Sequence, residues 1–449
     1  MTFISELFLD FFYKYIKFIF ICYITRVIVI AININLNFLS EIYFYIIDCI
    51  HEFLEADCPQ TNFNNNLEPF NNIIYGRKFF KLTHLKKDRE DTFLDIKILN
   101  NDTINCNYVF DIGNNLLISG FEAIIEDDVI TALEHHPDYI KYQFAFNPNN
   151  LKGILQKTIA YIIKIYRLIF LMPIRVLLIL TSVISFILAW IYDKYYKLSI
   201  CGRKFMGQFG CNLILASFGA YVNFHNKENK PISPGFITVN HMSPTDAFPL
   251  YIDTDLSDDN IFHITGQKGK GTIKLFQMIV GSILPTYWVN RHSQSERKTF
   301  LSKILKIAKN EGLIVLFPEG YCSNGRKLLQ FRKSIFVDNV NVYPIAYKQT
   351  SKYNDTFWWE DDFPTFFIRQ LTSLGIFYDI YYLPKLVKKS NESEEEFAYR
   401  TSETIAKKLE TTSLPWSGEH VYKKEIKEKV KNDIQKIIFS ACKHIYNLK

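Results

Sequence analysis

The sequence predicts an α/β protein in which a largely parallel or mixed central sheet is covered by helices, with membrane-embedded helices towards the N-terminus. Three observations carry this expectation. Short apolar runs of strand type alternate with a segment of helical periodicity between residues 235 and 317, as strands joined by crossover helices do. Three of these runs deliver polar residues at their carboxyl ends, where open α/β sheets build their sites. Ahead of them, residues 176–192 carry no charged side chain.

In chain order, residues 18–50 are apolar but interrupted by Arg26, Glu41 and Asp48. No basic segment with a small-residue cleavage site is found there, so 1–57 is expected to be an uncleaved anchor or a membrane-surface segment. Residues 32–38 alternate as a strand does. Residues 58–150 begin with an Asn-rich, mixed-charge stretch and read as a polar connector or regulatory region.

Over 151–198, the uncharged run together with Leu168 to Met172 before it exceeds the roughly 20 residues that cross a bilayer core. Lys164, Arg167 and Arg175 precede it and Lys194 and Lys197 follow, so flanking charge selects no orientation. Pro173 suggests two helices, 159–172 and 176–192, joined by a bend into a membrane hairpin; a transmembrane region and a hairpin buried in a core are the alternatives. The main α/β domain is expected over 199–425. Ile426, Val430, Ile434, Ile437 and Ala441 recur at helical spacing, predicting an amphipathic helix over 426–449 that packs on the domain.

Within the α/β domain, Gly235-Phe236-Ile237-Thr238-Val239 reads as a strand running into Asn240-His241-Met242-Ser243-Pro244-Thr245-Asp246. Ser243 is placed as a helix N-cap with Pro244 at the first helical position. His241 then lies in the loop between, five residues from Asp246. An imidazole can take a proton from an alcohol near neutral pH if a carboxylate orients it. Ser243 to Asp246 equally fits a capping box, in which the acid bonds back to the cap.

A second strand is read over 284–289, ending at Asn290-Arg291, and a third over 312–317, stopping at Pro318-Glu319-Gly320. Between them, Ser293 and Glu296 read as a capping box, and Phe300, Leu301, Ile304, Ile307 and Ala308 share one helical face. After the Pro-Glu-Gly turn come Arg326, Lys327, Arg332 and Lys333. A glycine turn at a strand end with cations close behind suits a phosphate. Lys268 and Lys270 are a further candidate phosphate contact.

These motifs resemble the glycerolipid acyltransferases. Asn240 to Asp246 matches their NHxxxxD block, Phe317-Pro318-Glu319-Gly320 their FPEG block, and Val342-Tyr343-Pro344-Ile345-Ala346 resembles their proline-containing block. The similarity is greater to the endoplasmic-reticulum glycerol-3-phosphate acyltransferases of the animal type. They share Cys322, Asn324, the Phe331-Arg332-Lys333 run, Asp355-Thr356-Phe357-Trp358, Leu371-Thr372-Ser373, Tyr381-Tyr382-Leu383-Pro384 and Leu414-Pro415-Trp416. This chain departs from their pattern at Tyr321, Ser334 and Asn290, where the family usually has threonine, glycine and an acidic residue. All three changes touch the acceptor region.

The resemblance implies an enzyme of the endoplasmic reticulum membrane that moves an acyl group from acyl-CoA to the sn-1 hydroxyl of glycerol-3-phosphate. The alternatives are a lysophospholipid acceptor, such as lysophosphatidic acid, or an idle membrane scaffold. His241 would be the general base and Asp246 its orienting acid. Arg291, Arg332 and Lys333 would hold the phosphate, Glu319 would bond an acceptor hydroxyl or orient an arginine, and Gly320 would let the backbone approach. Backbone N–H groups in the turns after Val239 or Phe317 are the candidate oxyanion donors. No cofactor is expected beyond acyl-CoA as donor substrate.

Composition agrees with this. Of 449 residues 48% are hydrophobic, including 39 Phe and 27 Tyr, enough for a core and membrane-embedded helices together. A net charge of +6 with no recognisable nucleic-acid module argues against a nucleic-acid partner. The eight cysteines show no CxxC pair or zinc spacing, so no metal site is expected. Cys322, beside the Pro-Glu-Gly turn, is a rival candidate as an acyl-thioester nucleophile.

Overall fold

The computed structural model describes residues 2–34, 37–55, 132–133, 136–257, 262–291, 293–358 and 362–418. The chain divides into two compact units, 1–58 with 132–415 and 59–131 with 416–449. Most of the expected polar region over 58–150, up to residue 131, and the C-terminal helix over 426–449 lie outside the described residues. The fold and the site belong to the first unit.

Seven strands form one sheet in the order β1-β7-β6-β2-β5-β3-β4. They are β1 Ala220–His225, β2 Gly235–Val239, β3 Phe262–Gln267, β4 Thr286–Val289, β5 Leu313–Leu316, β6 Val342–Gln349 and β7 Ile376–Tyr382. Every pairing is parallel except β6 with β7. The carboxyl ends of β2, β4 and β5 therefore open on one edge, as the mixed-sheet expectation required.

Alternation on β2 separates two apolar layers. Ile237 and Val239 join one cluster. Phe236 joins the other; it is fully buried, and burying such a side chain contributes about 1.5–3 kcal/mol. The first layer is built by helices α5 Met172–Tyr196, α6 Ile200–Ser217, α7 Ala247–Ile252, α8 Gly271–Val280 and α10 Phe363–Thr372. The second is built by α9 Gln294–Asn310 and α11 Glu394–Lys408. In α9, Ser293 caps the start by accepting from the Glu296 N–H at 3.3 Å, and Ile304, Ile307 and Ala308 are buried.

Among the described residues the N-terminal part forms helices and no strand: α1 Thr2–Ala31, α2 Asn37–Glu55, α3 Pro137–Ala145 and α4 Ile154–Ile165 precede α5. This corrects the strand reading of 32–38. Asn33 takes φ +52°, a left-handed conformation that asparagine tolerates and that stops α1. The acids that interrupt the N-terminal apolar stretch dock α2 on the sheet edge. Glu41 accepts from the Tyr221 hydroxyl at 3.2 Å, and Asp48 accepts from the Tyr353 hydroxyl at 2.8 Å and pairs with Lys352 at 2.8 Å.

Of the expectations for 151–198, the hairpin is replaced by one continuous apolar helix, residues 154–196, long and apolar enough to cross a membrane. A six-residue π-helical segment, Tyr166–Leu171, stands where the bend was expected. The Met172 N–H reaches back to the carbonyl of Arg167. Widening the helix in this way relieves the clash Pro173 would make with the preceding turn, so the proline is absorbed rather than breaking the helix. One side of α5 lies on the first layer: Arg175 is buried and donates to the carbonyls of Leu371, Ser373 and Leu374 at 2.9, 2.5 and 3.3 Å. The other side exposes Leu180, Ile184, Ile187, Leu188 and Ile191.

Candidate active site

Strand β2 hands over to the site through Asn240, whose buried side-chain amide clamps the backbone of Tyr347 on β6. Its Nδ2 donates to the Tyr347 carbonyl at 3.0 Å and its Oδ1 accepts from the Tyr347 N–H at 2.8 Å. His241 comes next, its ring stacked on Phe317 with centroids 4.4 Å apart. Its Nδ1 lies 3.1 Å from Oδ2 of Asp246.

Asp246 is fully buried and is held by its own loop. Its Oδ2 also accepts from the N–H groups of Met242 and Ser243 at 2.6 and 2.8 Å, and its Oδ1 from the Ser243 hydroxyl at 2.9 Å. The capping contact and the histidine contact are thus made by the same carboxylate. The helix does not start at Pro244, however: Pro244 to Asp246 form a turn and α7 begins at Ala247. The aspartate gathers donors from residues 241 to 243 in place of capping a first helical turn.

At the end of β5, the Gly320 N–H closes a turn onto the Phe317 carbonyl at 3.0 Å. Gly320 has φ +75°, and a Cβ there would lie 2.6 Å from Nε of Arg332. The backbone conformation requires glycine, and a side chain there would also displace the Arg332 guanidinium. Glu319 is fully buried and ties the two motif loops together, accepting from the His241 N–H at 2.7 Å and the Leu329 N–H at 2.8 Å. Burial pushes its carboxyl up to about 8, against the opposing pull of those two donors. Glu319 is a strut under His241, which corrects the expectation that it meets an acceptor hydroxyl or orients an arginine.

Cys322 lies on the working side of the imidazole, its Sγ 3.4 Å from His241 Nε2. Burial, with Asp246 and Glu319 nearby, pushes the thiol well above its ordinary range. A nucleophilic cysteine needs the thiolate, so this environment opposes an acyl-thioester role.

Two cations converge on the Gly320 turn. Arg291, at the end of β4, donates from Nη1 to the Gly320 carbonyl. The guanidinium groups of Arg291 and Arg332 lie 6.0 and 5.8 Å from the Tyr321 ring centre. Lys333 is not in this group. It stands in a surface turn, Lys333–Ile335, and pairs with Glu395, because the short 3-10 turn after Arg332 carries it to the start of α11. The N–H groups of His241, Met242, Ser243 and Gly320 are all engaged within the loops, which removes them from the expected oxyanion donors.

Asn240, the first residue of the NHxxxxD block, and Tyr347 act as supports, a role that the sequence did not assign to either. The signal was present in Asn240, since a buried amide beside a strand end needs partners; the Tyr347 hydroxyl in turn donates to the Asp246 carbonyl at 3.0 Å. With Nδ1–H donating to Asp246, Nε2 is the acceptor nitrogen, and the arrangement can deprotonate a hydroxyl placed beside the two arginines. Among the described residues no cluster of metal-ligating side chains is present.

A family model described as Acyltransferase matches residues 221–348, from β1 to β6. The chain is 28% identical over 329 residues to glycerol-3-phosphate acyltransferase 3 of Gallus gallus, covering 71% of this chain and 72% of that protein. It is 26% identical over 279 residues to glycerol-3-phosphate acyltransferase 4 of Homo sapiens, covering 60% of this chain and 59% of that one. Among solved structures, the 1-acyl-sn-glycerophosphate (LPA) acyltransferase PlsC from Thermotoga maritima matches 52% of this chain and 96% of its own, at 16% identity and a TM-score of 0.32. With its histidine–aspartate pair and Pro-Glu-Gly turn on adjacent strand ends, the region 221–348 is an acyltransferase domain, and the chain around it is similar to the animal glycerol-3-phosphate acyltransferases.

Proposed function

We propose that this protein is a membrane-bound enzyme that transfers a fatty acyl group from acyl-CoA to the sn-1 hydroxyl of glycerol-3-phosphate, yielding lysophosphatidic acid. One observation carries the chemistry: His241 is held by Asp246 at 3.1 Å on the strand end next to a turn flanked by Arg291 and Arg332. The choice of acceptor rests on the relatives' names together with this cationic turn. The proposed place of action is the endoplasmic reticulum membrane: the long apolar helix over 154–196 supports a membrane, and the choice of organelle rests on the family resemblance alone.

In this mechanism His241 Nε2 takes the proton of the acceptor hydroxyl as the oxygen attacks the thioester carbonyl. Asp246 holds the other ring nitrogen and stabilises the imidazolium. The tetrahedral intermediate collapses by breaking the carbon–sulfur bond, and coenzyme A leaves as the thiol after taking the proton back from His241. The Cys322 thiol, which occupies hydrogen-bonding distance of Nε2, yields that position to the acceptor hydroxyl. Arg291 and Arg332 hold the acceptor's phosphate, one able to bind it bidentately while the other neutralises charge.

Acyl transfer from labelled oleoyl-CoA, offered glycerol-3-phosphate and lysophosphatidic acid in separate assays, tests the proposal. Product from glycerol-3-phosphate supports it; product from lysophosphatidic acid alone moves the enzyme to the lysophospholipid reading.

A further inference from the structure

Helix α8 has two unlike faces. Phe276, Ile279 and Val280 point inward and, with Ile179, Val183 and Phe186 of α5, Ile214 of α6 and Phe367 of α10, line a small apolar cavity of about 40 Å³. The outward face carries Leu275 and Met278, which are 59% and 63% exposed. Lys274 lies on the same face, one turn from Met278, and Lys268 and Lys270 stand exposed just before the helix.

The place of this face in the fold gives it meaning. Ile179, Val183 and Phe186 form the stripe of α5 next to the one that exposes Leu180, Ile184 and Ile187, because residues one apart are offset by about 100° round a helix. Helix α8 therefore flanks the exposed apolar stripe of the long apolar helix, and Ile368 of α10, 53% exposed, stands on the neighbouring helix of the same layer. Helix α9, in the opposite layer, exposes Glu296, Arg297, Lys303, Lys306 and Lys309 and none of its large apolar side chains. Exposed apolar side chains ringed by lysines form the pattern of a helix lying in a membrane interface.

We propose that α8 and the loop before it form a second lipid-contacting surface. Leu275 and Met278 enter the acyl region of a leaflet while Lys268, Lys270 and Lys274 meet the phosphates of anionic phospholipid headgroups. The proposal rests on the membrane-bound reading of the enzyme and adds to it a docking point on the first layer itself. The packing behind α8 connects this surface to the site. The Phe276 ring packs edge-on against Phe248 of α7 at 5.9 Å, and α7 starts one residue after Asp246. Docking at α8 sets the His241 loop at a fixed height above the leaflet that supplies and receives acyl chains.

Photocrosslinking of the full-length protein in proteoliposomes tests this. Met278→p-benzoylphenylalanine is compared with Ile187→p-benzoylphenylalanine on the long apolar helix and Lys306→p-benzoylphenylalanine on α9, with labelled phosphatidylserine or phosphatidylcholine in the bilayer. Lipid adducts at 278 and 187 but not at 306 are expected. An adduct at 187 without one at 278 overturns the α8 surface and leaves the membrane-bound reading standing; no adduct at either overturns both. The triple variant Lys268→Gln/Lys270→Gln/Lys274→Gln should lower the preference of position 278 for phosphatidylserine by about fivefold or more. An unchanged preference with a raised acyl-CoA KM would assign the lysines to the donor's phosphates and overturn the headgroup contact.

Discussion

Nδ1 of His241 lies 3.1 Å from Oδ2 of Asp246, and the same oxygen is held by the N–H groups of Met242 and Ser243. The carboxylate is thereby anchored to the loop that carries the histidine, and the ring turns its other nitrogen towards Cys322. The base, its orienting acid and the two backbone N–H groups that hold the acid all lie within the six residues His241 to Asp246.

Asp246→Asn should be more damaging than its small change in shape suggests. An amide at this position brings its own hydrogens against donors already present, so it either turns away from His241 or leaves N–H groups unpaired. A loss of about 10²–10⁴-fold in kcat is expected, with little change in acceptor KM. Steady-state kinetics in membranes at matched expression check this; a loss confined to KM would speak against an orienting role.

Cys322→Ala should keep most of its turnover, within several-fold of the parent. The thiol neighbours Nε2 at 3.4 Å, but burial and the nearby carboxylates hold it protonated, and direct attack on a thioester needs no covalent intermediate. Intact-protein mass measurement after mixing with acyl-CoA alone should show no acyl adduct that disappears in the variant. Loss of turnover together with such an adduct would establish the thioester route instead.

Glu319 gives a pH-dependent stability. Its folded carboxyl is raised to about 8 by burial, above the ordinary value near 4.3, so the folded state binds the proton more tightly than the unfolded one. The stabilisation is fully present below about pH 4 and is lost as pH rises towards 8. Melting of the parent relative to Glu319→Gln should therefore decline across that window and level off above it. A difference that is constant with pH would show that Glu319 is ionised throughout.

Arg291 and Lys333 should separate cleanly. Arg291 bonds the carbonyl of Gly320 and faces Tyr321, whereas Lys333 is more than half exposed beside Glu395. Arg291→Ala should raise the KM for glycerol-3-phosphate by about tenfold or more, the scale of a lost charge-assisted contact. Lys333→Ala should leave it within about twofold, as loss of an exposed ion pair does. Equal effects would return Lys333 to the acceptor site.

Much of the site is legible in the sequence because its residues are contiguous and come directly after strands of strong apolar character. His241, Asp246 and the Gly320 turn can be placed from Gly235–Val239 and the run ending at Phe317 alone. Lys333 and Glu319 depart from expectation for a shared reason: residue type near a motif does not reveal side-chain direction. A 3-10 turn carries Lys333 outward, and two backbone N–H groups draw Glu319 inward. The continuous helix over 154–196 looks like a hairpin in sequence because Pro173 normally breaks a helix, and the π-helical segment that accommodates it has no periodicity to betray it. Glu41 and Asp48 look like interruptions of an apolar stretch, since their use depends on partners 180 and 305 residues away, Tyr221 and Tyr353.

The most direct measurement is acyl transfer from labelled oleoyl-CoA to glycerol-3-phosphate by membranes carrying the parent chain or His241→Ala at equal expression. Labelled lysophosphatidic acid is expected from the parent, with its near absence from the variant. Equal product from both would contradict the role given to His241 and, with it, the mechanism.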